Sequence, residues 1–317
     1  MNADKTMSRR TALKRIGAAM LGTVAATSGV MSLASCGDKP LRRVVLYFTG
    51  TGNCLHIARL LAGKDGEVLS IPQLMKKQHL VVEADEIGIV YPVYGHMPPN
   101  MVREFIKKAK FKAATAAAPY MFSVLTYGNR KCSSVEIWDD IARRAGKSFD
   151  YIATLIMVDN WLPNFDMNEQ VLIDKHIPEN VEKLKADIDG HKRWHEPVTE
   201  EERQQHKGFM EYTGIDPEVG FLMKSEKCFT VTDACIGCGV CVNVCPRGNY
   251  AMKSDGVKMQ GDCDFCFACI QNCPQKAIRF AENTDNPLLR NGEKNPNARY
   301  RNEHVSLMDV KLANNQH

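Results

Sequence analysis

The chain has 317 residues, 44% of them hydrophobic and 25% charged, a composition that excludes an intrinsically disordered chain, a collagen-like protein and a polytopic membrane protein. Its formal net charge of +4 is confined to residues 1–35, because the remaining chain holds 36 basic and 36 acidic residues. A basic nucleic-acid-binding surface is therefore not expected. Eight of the twelve cysteines lie between Cys235 and Cys273, which indicates metal binding rather than the disulfides of a small secreted scaffold.

The first 35 residues are typical of a signal peptide. Arg9 and Arg10 precede an uncharged stretch, residues 16–34, that is too mildly hydrophobic to be a strong permanent anchor. The paired arginines resemble a twin-arginine export signal, and residues 33–36 resemble a bacterial lipobox, in which Cys36 would be lipidated and become the new N-terminus. These resemblances imply an exported, membrane-anchored lipoprotein on the periplasmic side. The alternative is a cytoplasmic protein with a disordered N-terminal tail.

Residues 40–190 alternate between apolar strands and amphipathic helices. Residues 44–48 form a short unbroken apolar run, which is typical of a strand buried on both faces of a parallel sheet. Four more such segments predict a doubly wound, five-stranded parallel α/β sheet. The later strands are predicted at residues 67–71, 86–91, 120–125 and 151–158, and the helices after the first at residues 100–110, 133–145 and 168–189.

The loop after the first predicted strand is suited to holding a phosphate. Its glycines let backbone amides approach an anion, its threonines add donors, and the following helix contributes partial positive charge at its N-terminus. The loop matches neither GxxxxGK[ST] nor GxGxxG, and the alternative is a tight turn without a ligand. Three later strands end in loops that carry an aromatic side chain, namely Tyr94, Tyr127 and Trp161.

Together these loops resemble those of flavodoxin-like domains, a family that binds FMN. The resemblance implies that the first loop cradles the phosphate and the next two flank the isoalloxazine ring, where aromatic faces can stack. Cys54 departs from the usual Ser or Thr, and a thiol is a weak donor. The implied residues are Thr49, Gly50, Thr51, Gly52, Asn53 and Cys54 at the phosphate, and Pro92, Val93, Tyr94, Gly95, His96, Thr126, Tyr127, Gly128 and Asn129 around the ring.

Residues 191–225 are polar and charged, which predicts a linker with a short helix at about residues 200–211. His191, His195 and His206 do not follow a known metal-binding spacing, so we expect them to be solvated.

Residues 226–282 carry the most specific motif in the chain. The run CxxCxxCxxxCP occurs twice, beginning at Cys235 and at Cys263. It resembles the run of bacterial two-cluster ferredoxins, in which the fourth cysteine ligates the other [4Fe-4S] cluster. Zinc, which takes CxxC pairs set well apart, and disulfides are the alternatives. The resemblance implies Cys235, Cys238, Cys241 and Cys273 as ligands of cluster I, and Cys263, Cys266, Cys269 and Cys245 as ligands of cluster II.

The remaining cysteines and the C-terminus give weaker signals. Cys132 and Cys228 fall outside the motif and are expected to be packing residues. Residues 283–317 form a C-terminal extension whose stretch 299–302 is similar to one at the end of flavodoxin–ferredoxin fusion proteins. No chemical role is predicted for this extension.

Residues 41–310 as a whole resemble the EFR-type ferrodoxin family, a flavodoxin-like domain fused to a small α+β two-cluster ferredoxin domain. This resemblance implies a membrane-tethered electron carrier that uses FMN and two [4Fe-4S] clusters and exchanges electrons with redox partner proteins. Loaded clusters add negative charge, which favours partners with a basic face. One alternative is a flavin-dependent reductase of a quinone or another small molecule, with His96 or Tyr127 as proton donors; a second is a vestigial flavin site. No dedicated acid–base pair is apparent, which favours the carrier over the enzyme.

Overall fold

The computed structural model describes residues 41–254, 256–280 and 297–317. The predicted signal peptide, Cys36 and residues 283–296 of the predicted extension lie outside these ranges. Within them, no helix combines the length and the apolar character needed to cross a membrane.

Residues 43–195 contain alternating strands and helices. In chain order they are β1 (Arg43–Tyr47), α1 (Asn53–Ala62), β2 (Glu67–Ser70), α2 (Ile71–Leu74), β3 (Val81–Glu83), β4 (Glu86–Pro92), α3 (Asn100–Lys108), β5 (Lys110–Lys112), β6 (Tyr120–Tyr127), α4 (Ser134–Arg144), β7 (Tyr151–Ile156), α5 (Met167–Gln170), α6 (Ile177–Asp189) and β8 (Trp194–His195). Six strands form one parallel sheet in the order β2-β1-β4-β6-β7-β8, and β3 pairs with β5 beside it. Its five longer strands follow the flavodoxin-like order 2-1-3-4-5, so the predicted fold class is confirmed.

β1 lies between β2 and β4 in the sheet and is covered on both faces. Val44, Leu46 and Phe48 belong to one apolar core, and Val45 and Tyr47 belong to the other. Because side chains alternate between the faces of a strand, an unbroken apolar run is what such a position requires.

The sheet has one strand more than the five predicted. β8 comes from the predicted linker and pairs with β7 through Trp194 opposite Tyr151 and His195 opposite Ile152. It covers backbone groups that would otherwise be unpaired along β7, which explains why a polar two-residue segment is extended here.

The predicted helix at 168–189 is wrong, because the structure has the two helices α5 and α6 there. The chain turns at His176, whose φ is 49°, and Pro178 stands in the first turn of α6. Proline is tolerated in a first turn but interrupts a continuous helix, because it lacks an N–H and its ring meets the preceding turn.

The second half of the chain consists of short elements. They are α7 (Glu200–Thr213), β9 (Met223–Lys224), α8 (Ser225–Cys228), β10 (Phe229–Val231), α9 (Val240–Val244), β11 (Tyr250–Lys253), β12 (Gly256–Met259), β13 (Asp262–Cys263), α10 (Ala268–Gln271), β14 (Ile278–Phe280) and α11 (Leu307–Asn314). Three antiparallel pairs, β9–β13, β10–β14 and β11–β12, surround the cysteine-bearing segments.

The two halves share an apolar core. Val244 of α9 and Ala268 of α10 pack with Val310 of α11 in the same cluster as Ile57 and Leu61 of α1. The cysteine-bearing helices are therefore packed against one face of the parallel sheet.

Candidate functional site

Two cavities in the second half are each lined by four cysteines. The first contains Cys245, Cys263, Cys266 and Cys269, and the second contains Cys235, Cys238, Cys241 and Cys273. In each cavity, the first three cysteines of one run meet the last cysteine of the other. These are the sets that the ferredoxin resemblance implies.

Left-handed backbone turns curl the chain around both cavities. Gly237 and Gly239 adopt positive φ in the first run, while Phe265 and Phe267 do so in the second. The amide of Phe265 donates to the Cys263 sulfur at 3.3 Å, that of Ala277 donates to Cys273 at 3.3 Å, and that of Asn249 donates to Cys245 at 3.4 Å. Such bonds favour the thiolate form, which is the form that ligates iron.

Burial disfavours these thiolates in the absence of a metal. It raises the pKa of Cys241 and of Cys269 to about 12, and it raises the pKa of Cys266 well above its ordinary value. Metal binding displaces the proton of a ligating thiol, so the same set of thiols fits a bound metal group. Among the described residues, no three His, Cys, Asp or Glu side chains converge on a single-ion site. Sulfurs spaced around a cavity suit a polynuclear cluster better than one zinc ion.

A cleft of about 1040 Å³ opens at the carboxyl ends of the sheet strands. In a doubly wound fold this edge is where ligands bind. The first loop (residues 49–54), the second loop (residues 92–96) and the third loop (residues 126–129) all line it. Gly52 of the first loop does not line the cleft and instead faces Val305. The other predicted flavin-site residues line the cleft, namely Thr49, Gly50, Thr51, Asn53, Cys54, Pro92, Val93, Tyr94, Gly95, His96, Thr126, Tyr127, Gly128 and Asn129.

The first loop has amides available for an anion. Thr49 Oγ1 accepts from the Gly52 amide at 3.0 Å. In the part of the chain that the structure describes, the amides of Gly50, Thr51 and Asn53 donate to no acceptor, and Asn53 begins α1. Unpaired amides at a helix N-terminus are a fitting environment for a phosphate.

The Cys54 thiol is engaged with the third loop. Its sulfur lies 3.2 Å from Thr126 Oγ1, and burial raises the pKa of this thiol to about 12. Cys54 therefore links the first and third loops as a neutral side chain.

The second half of the chain contributes to the cleft an aromatic wall that was not expected from the sequence. Phe265, Phe267 and Phe280 line it, and the Trp161 ring stacks on Phe267 with centroids 5.0 Å apart and planes 11° apart. Phe265 and Phe267 flank Cys266, so the segment 263–267, the cysteine loop, faces both a cysteine cavity and the cleft. The aromatic residues between the cysteines of the second run could have indicated this wall from the sequence.

α7 lies over the second loop. His206 Nδ1 is 3.4 Å from His96 Nδ1, and the Phe209 ring is 4.6 Å from the His96 ring. Phe221 packs so closely on Gly95 that a Cβ there would lie 1.8 Å from its ring.

The expectation of solvated histidines holds for His191, which is exposed, whereas His195 and His206 are half-buried, and all three have polar partners. His191 Nε2 lies 2.5 Å from Glu86 Oε1, and His195 Nε2 lies 2.9 Å from the Phe149 carbonyl.

The cysteine-bearing part of the chain is similar to a known ferredoxin and to another iron–sulfur protein. Residues 234–278 match the family model of the 4Fe-4S dicluster domain. A ferredoxin from Methanothermococcus thermolithotrophicus is 39% identical over 54 residues, covering 16% of this chain and 90% of that protein. An iron–sulfur protein from Rhodospirillum rubrum is 36% identical over 72 residues, covering 16% of this chain; the chain spans only 38% of that protein.

A solved flavoprotein in complex with FMN, from Lactobacillus acidophilus NCFM, resembles part of the chain. It has 15% sequence identity and a TM-score of 0.26, covering 36% of this chain and 93% of that one. At this TM-score the likeness indicates nothing about what this chain binds.

We expect the buried His96 to make the folded protein less stable as the pH falls. Burial, with smaller contributions from His206 and Arg130, lowers the pKa of His96 to about 4. Between pH 6.5 and 4 the unfolded chain binds a proton at this side chain that the folded chain does not, so acidification favours unfolding. From pH 7 to pH 5 the free energy of unfolding should fall by at most about 2 kcal/mol through His96.

Urea denaturation of wild type and His96→Asn at both pH values measures this contribution. Asparagine tolerates the positive φ of 69° at this position and does not titrate. An identical pH dependence in the two proteins would contradict the prediction.

Proposed function

This chain belongs, through residues 234–278, to the ferredoxin family, and from that premise we propose that it is an electron carrier of the EFR type. In this proposal the cleft holds FMN and the cysteine cavities hold two [4Fe-4S] clusters. The observation that carries the proposal is the shared wall, because the cysteine loop lines both the cavity of cluster II and the cleft.

The arrangement supports an order of cofactors. The cavity of cluster II adjoins the cleft, whereas the cavity of cluster I shares no lining residue with the cleft. Cys238 beside cluster I is exposed, and Ile236 is 65% exposed, so this end offers contact to a redox partner protein. When bound, a flavin accepts two electrons and releases them singly, whereas each cluster carries one.

The chain's own residues hold and tune these groups. The free amides of the first loop bind the phosphate, and Phe265, Phe267 and Trp161 exclude water along the wall. Amide donors to Cys245, Cys263 and Cys273 stabilise negative charge on sulfur, which raises a cluster's reduction potential.

Anaerobically purified protein is expected to contain about eight irons, about eight inorganic sulfides and one FMN per chain. Cys266→Ala removes a ligand of cluster II, so the iron content should fall to about four per chain. Iron and sulfide analysis, with the absorption spectrum, measures both proteins.

Cys132→Ala is the matched control, because Cys132 is a buried cysteine that lines neither cysteine cavity. It should retain the wild-type iron content. Far fewer than eight irons in reconstituted wild type, or loss of iron in the Cys132 variant alone, would refute the assignment.

A flavin-dependent reductase is the second candidate. The cleft extends beyond the three loops to Phe209, Tyr212 and Phe221, which leaves apolar space beside the ring loops for a planar acceptor such as a quinone. A reductase should turn over quinones, with a chemical reductant supplying electrons, well above the rate of free FMN. A carrier should show no more than the rate of free FMN.

We also propose that the protein is exported and anchored at Cys36, on the strength of the residue pattern at 1–36. Replacing Arg9 and Arg10 by lysines should leave the protein in the cytoplasm, which fractionation and immunoblotting of the two cell compartments would detect. Replacing Cys36 by alanine should release exported protein from the membrane. Unaltered export of the lysine variant would overturn the twin-arginine proposal.

A further inference from the structure

The C-terminal tail, residues 297–317, is bound to the first loop. The Asn302 amide donates to the Thr51 carbonyl at 2.9 Å, and Asn314 Nδ2 donates to the Thr49 carbonyl at 2.9 Å. Val305 packs on Gly52, where a Cβ would lie 2.8 Å from it. The tail therefore touches the back of the loop that lines the cleft.

Two tail side chains meet Asn53. The Tyr300 hydroxyl donates to Asn53 Oδ1 at 2.6 Å, and Asn302 Nδ2 donates to the same oxygen at 3.0 Å. All three side chains are buried. Burial raises the pKa of Tyr300 to about 12, so its hydroxyl keeps the proton that it donates.

The orientation of the Asn53 side-chain amide follows from the backbone N–H of His304, which can only donate a hydrogen bond. The backbone amide of His304 donates to Asn302 Oδ1 at 3.0 Å, which fixes the oxygen and hence the Nδ2 of Asn302. Asn302 Nδ2 must find an acceptor, so the atom of Asn53 that faces it is the oxygen. Asn53 Nδ2 is then turned away from the tail, and it donates to no acceptor among the described residues.

A closed series of hydrogen bonds connects this contact to the cysteine-bearing helix α10. The Tyr300 amide donates to Gln271 Oε1 at 2.7 Å, and Gln271 Nε2 donates to the Asn160 carbonyl at 2.9 Å. Asn160 Nδ2 in turn donates to Thr51 Oγ1 at 2.7 Å. Because Gln271 follows Cys269 by two residues, the tail is held between a cysteine segment and the first loop.

We propose that Tyr300 and Asn302 are positioning residues of the flavin site, which orient Asn53 so that its Nδ2 donates to the phosphate of bound FMN. The inference rests on the proposed function, because it needs FMN in the cleft. An amide in the opposite orientation would present its oxygen to the phosphate and repel it. The tail thus favours flavins that carry a phosphate over flavins that do not.

The test compares FMN with riboflavin, which has the same ring but no phosphate. The full chain with reconstituted clusters is freed of flavin, and each flavin is titrated by the quenching of its fluorescence. Wild type should bind FMN more tightly than riboflavin. Tyr300→Phe and Asn302→Ala should each raise the Kd for FMN about tenfold and change the Kd for riboflavin less than about twofold, since only the phosphate contact is weakened.

Two further variants make the test specific to Asn53. In an Asn53→Ala background, neither tail substitution should weaken FMN binding further, because the side chain through which they act is gone. Tyr120→Phe is the matched control, since it removes a similar hydrogen bond, 2.7 Å from the Tyr120 hydroxyl to the Lys192 carbonyl, at a buried site outside the cleft. It should leave both Kd values unchanged.

Each result has one meaning. Equal weakening of FMN and riboflavin by the tail variants would show a merely structural role and overturn the inference, as would unchanged FMN binding. Wild type that binds neither flavin would refute the proposed function itself, and the inference with it. Intact iron content in every variant establishes that the chains are folded.

Discussion

The first loop and the cysteine loop are packed so closely that no side chain fits between them. A Cβ on residue 50 would lie 2.1 Å from the Cys266 carbonyl oxygen, so only glycine is accommodated there. The loop suited to a phosphate and a loop suited to a cluster are thereby parts of one surface. Gly50 has a role beyond letting amides approach an anion, because its missing side chain also permits the contact between the two halves.

A buried ion pair holds the cysteine loop against α3. Arg247 Nε donates to the buried Asp264 carboxylate at 2.6 Å, and its other nitrogens contact Glu104 of α3 at 2.9 and 3.1 Å. Asp264 also accepts from the Met101 amide at 3.2 Å. Burial raises the pKa of Asp264, although Arg247 opposes this rise. Removing one partner alone would leave an uncompensated buried charge, which is strongly destabilising.

The sequence predicted what is encoded in short patterns. The apolar run of β1 indicated a buried parallel strand, and the parallel α/β sheet is present. The cysteine runs have a fixed spacing, and each cavity brings together one of the sets that the ferredoxin resemblance implies. The predictions from the sequence were wrong where contact with a distant segment outweighs the local composition of the chain. Trp194 is in a polar stretch, yet it forms a strand because β7 offers an unpaired edge, and His206 meets His96 because α7 folds over the second loop.

Unbroken apolar runs and residue spacing by themselves determined the α/β sheet, the ferredoxin motif and the three loops of the cleft, because each of these depends on residues close together in the chain. Only the tertiary structure decided what encloses the cleft. Tyr300 and Asn53 are 247 residues apart, and Phe265, Phe267 and Phe280 of the aromatic wall follow the predicted linker (residues 191–225) in the chain. Contacts of that kind have no periodicity or spacing, since they are selected by shape and hydrogen bonding after the elements have packed.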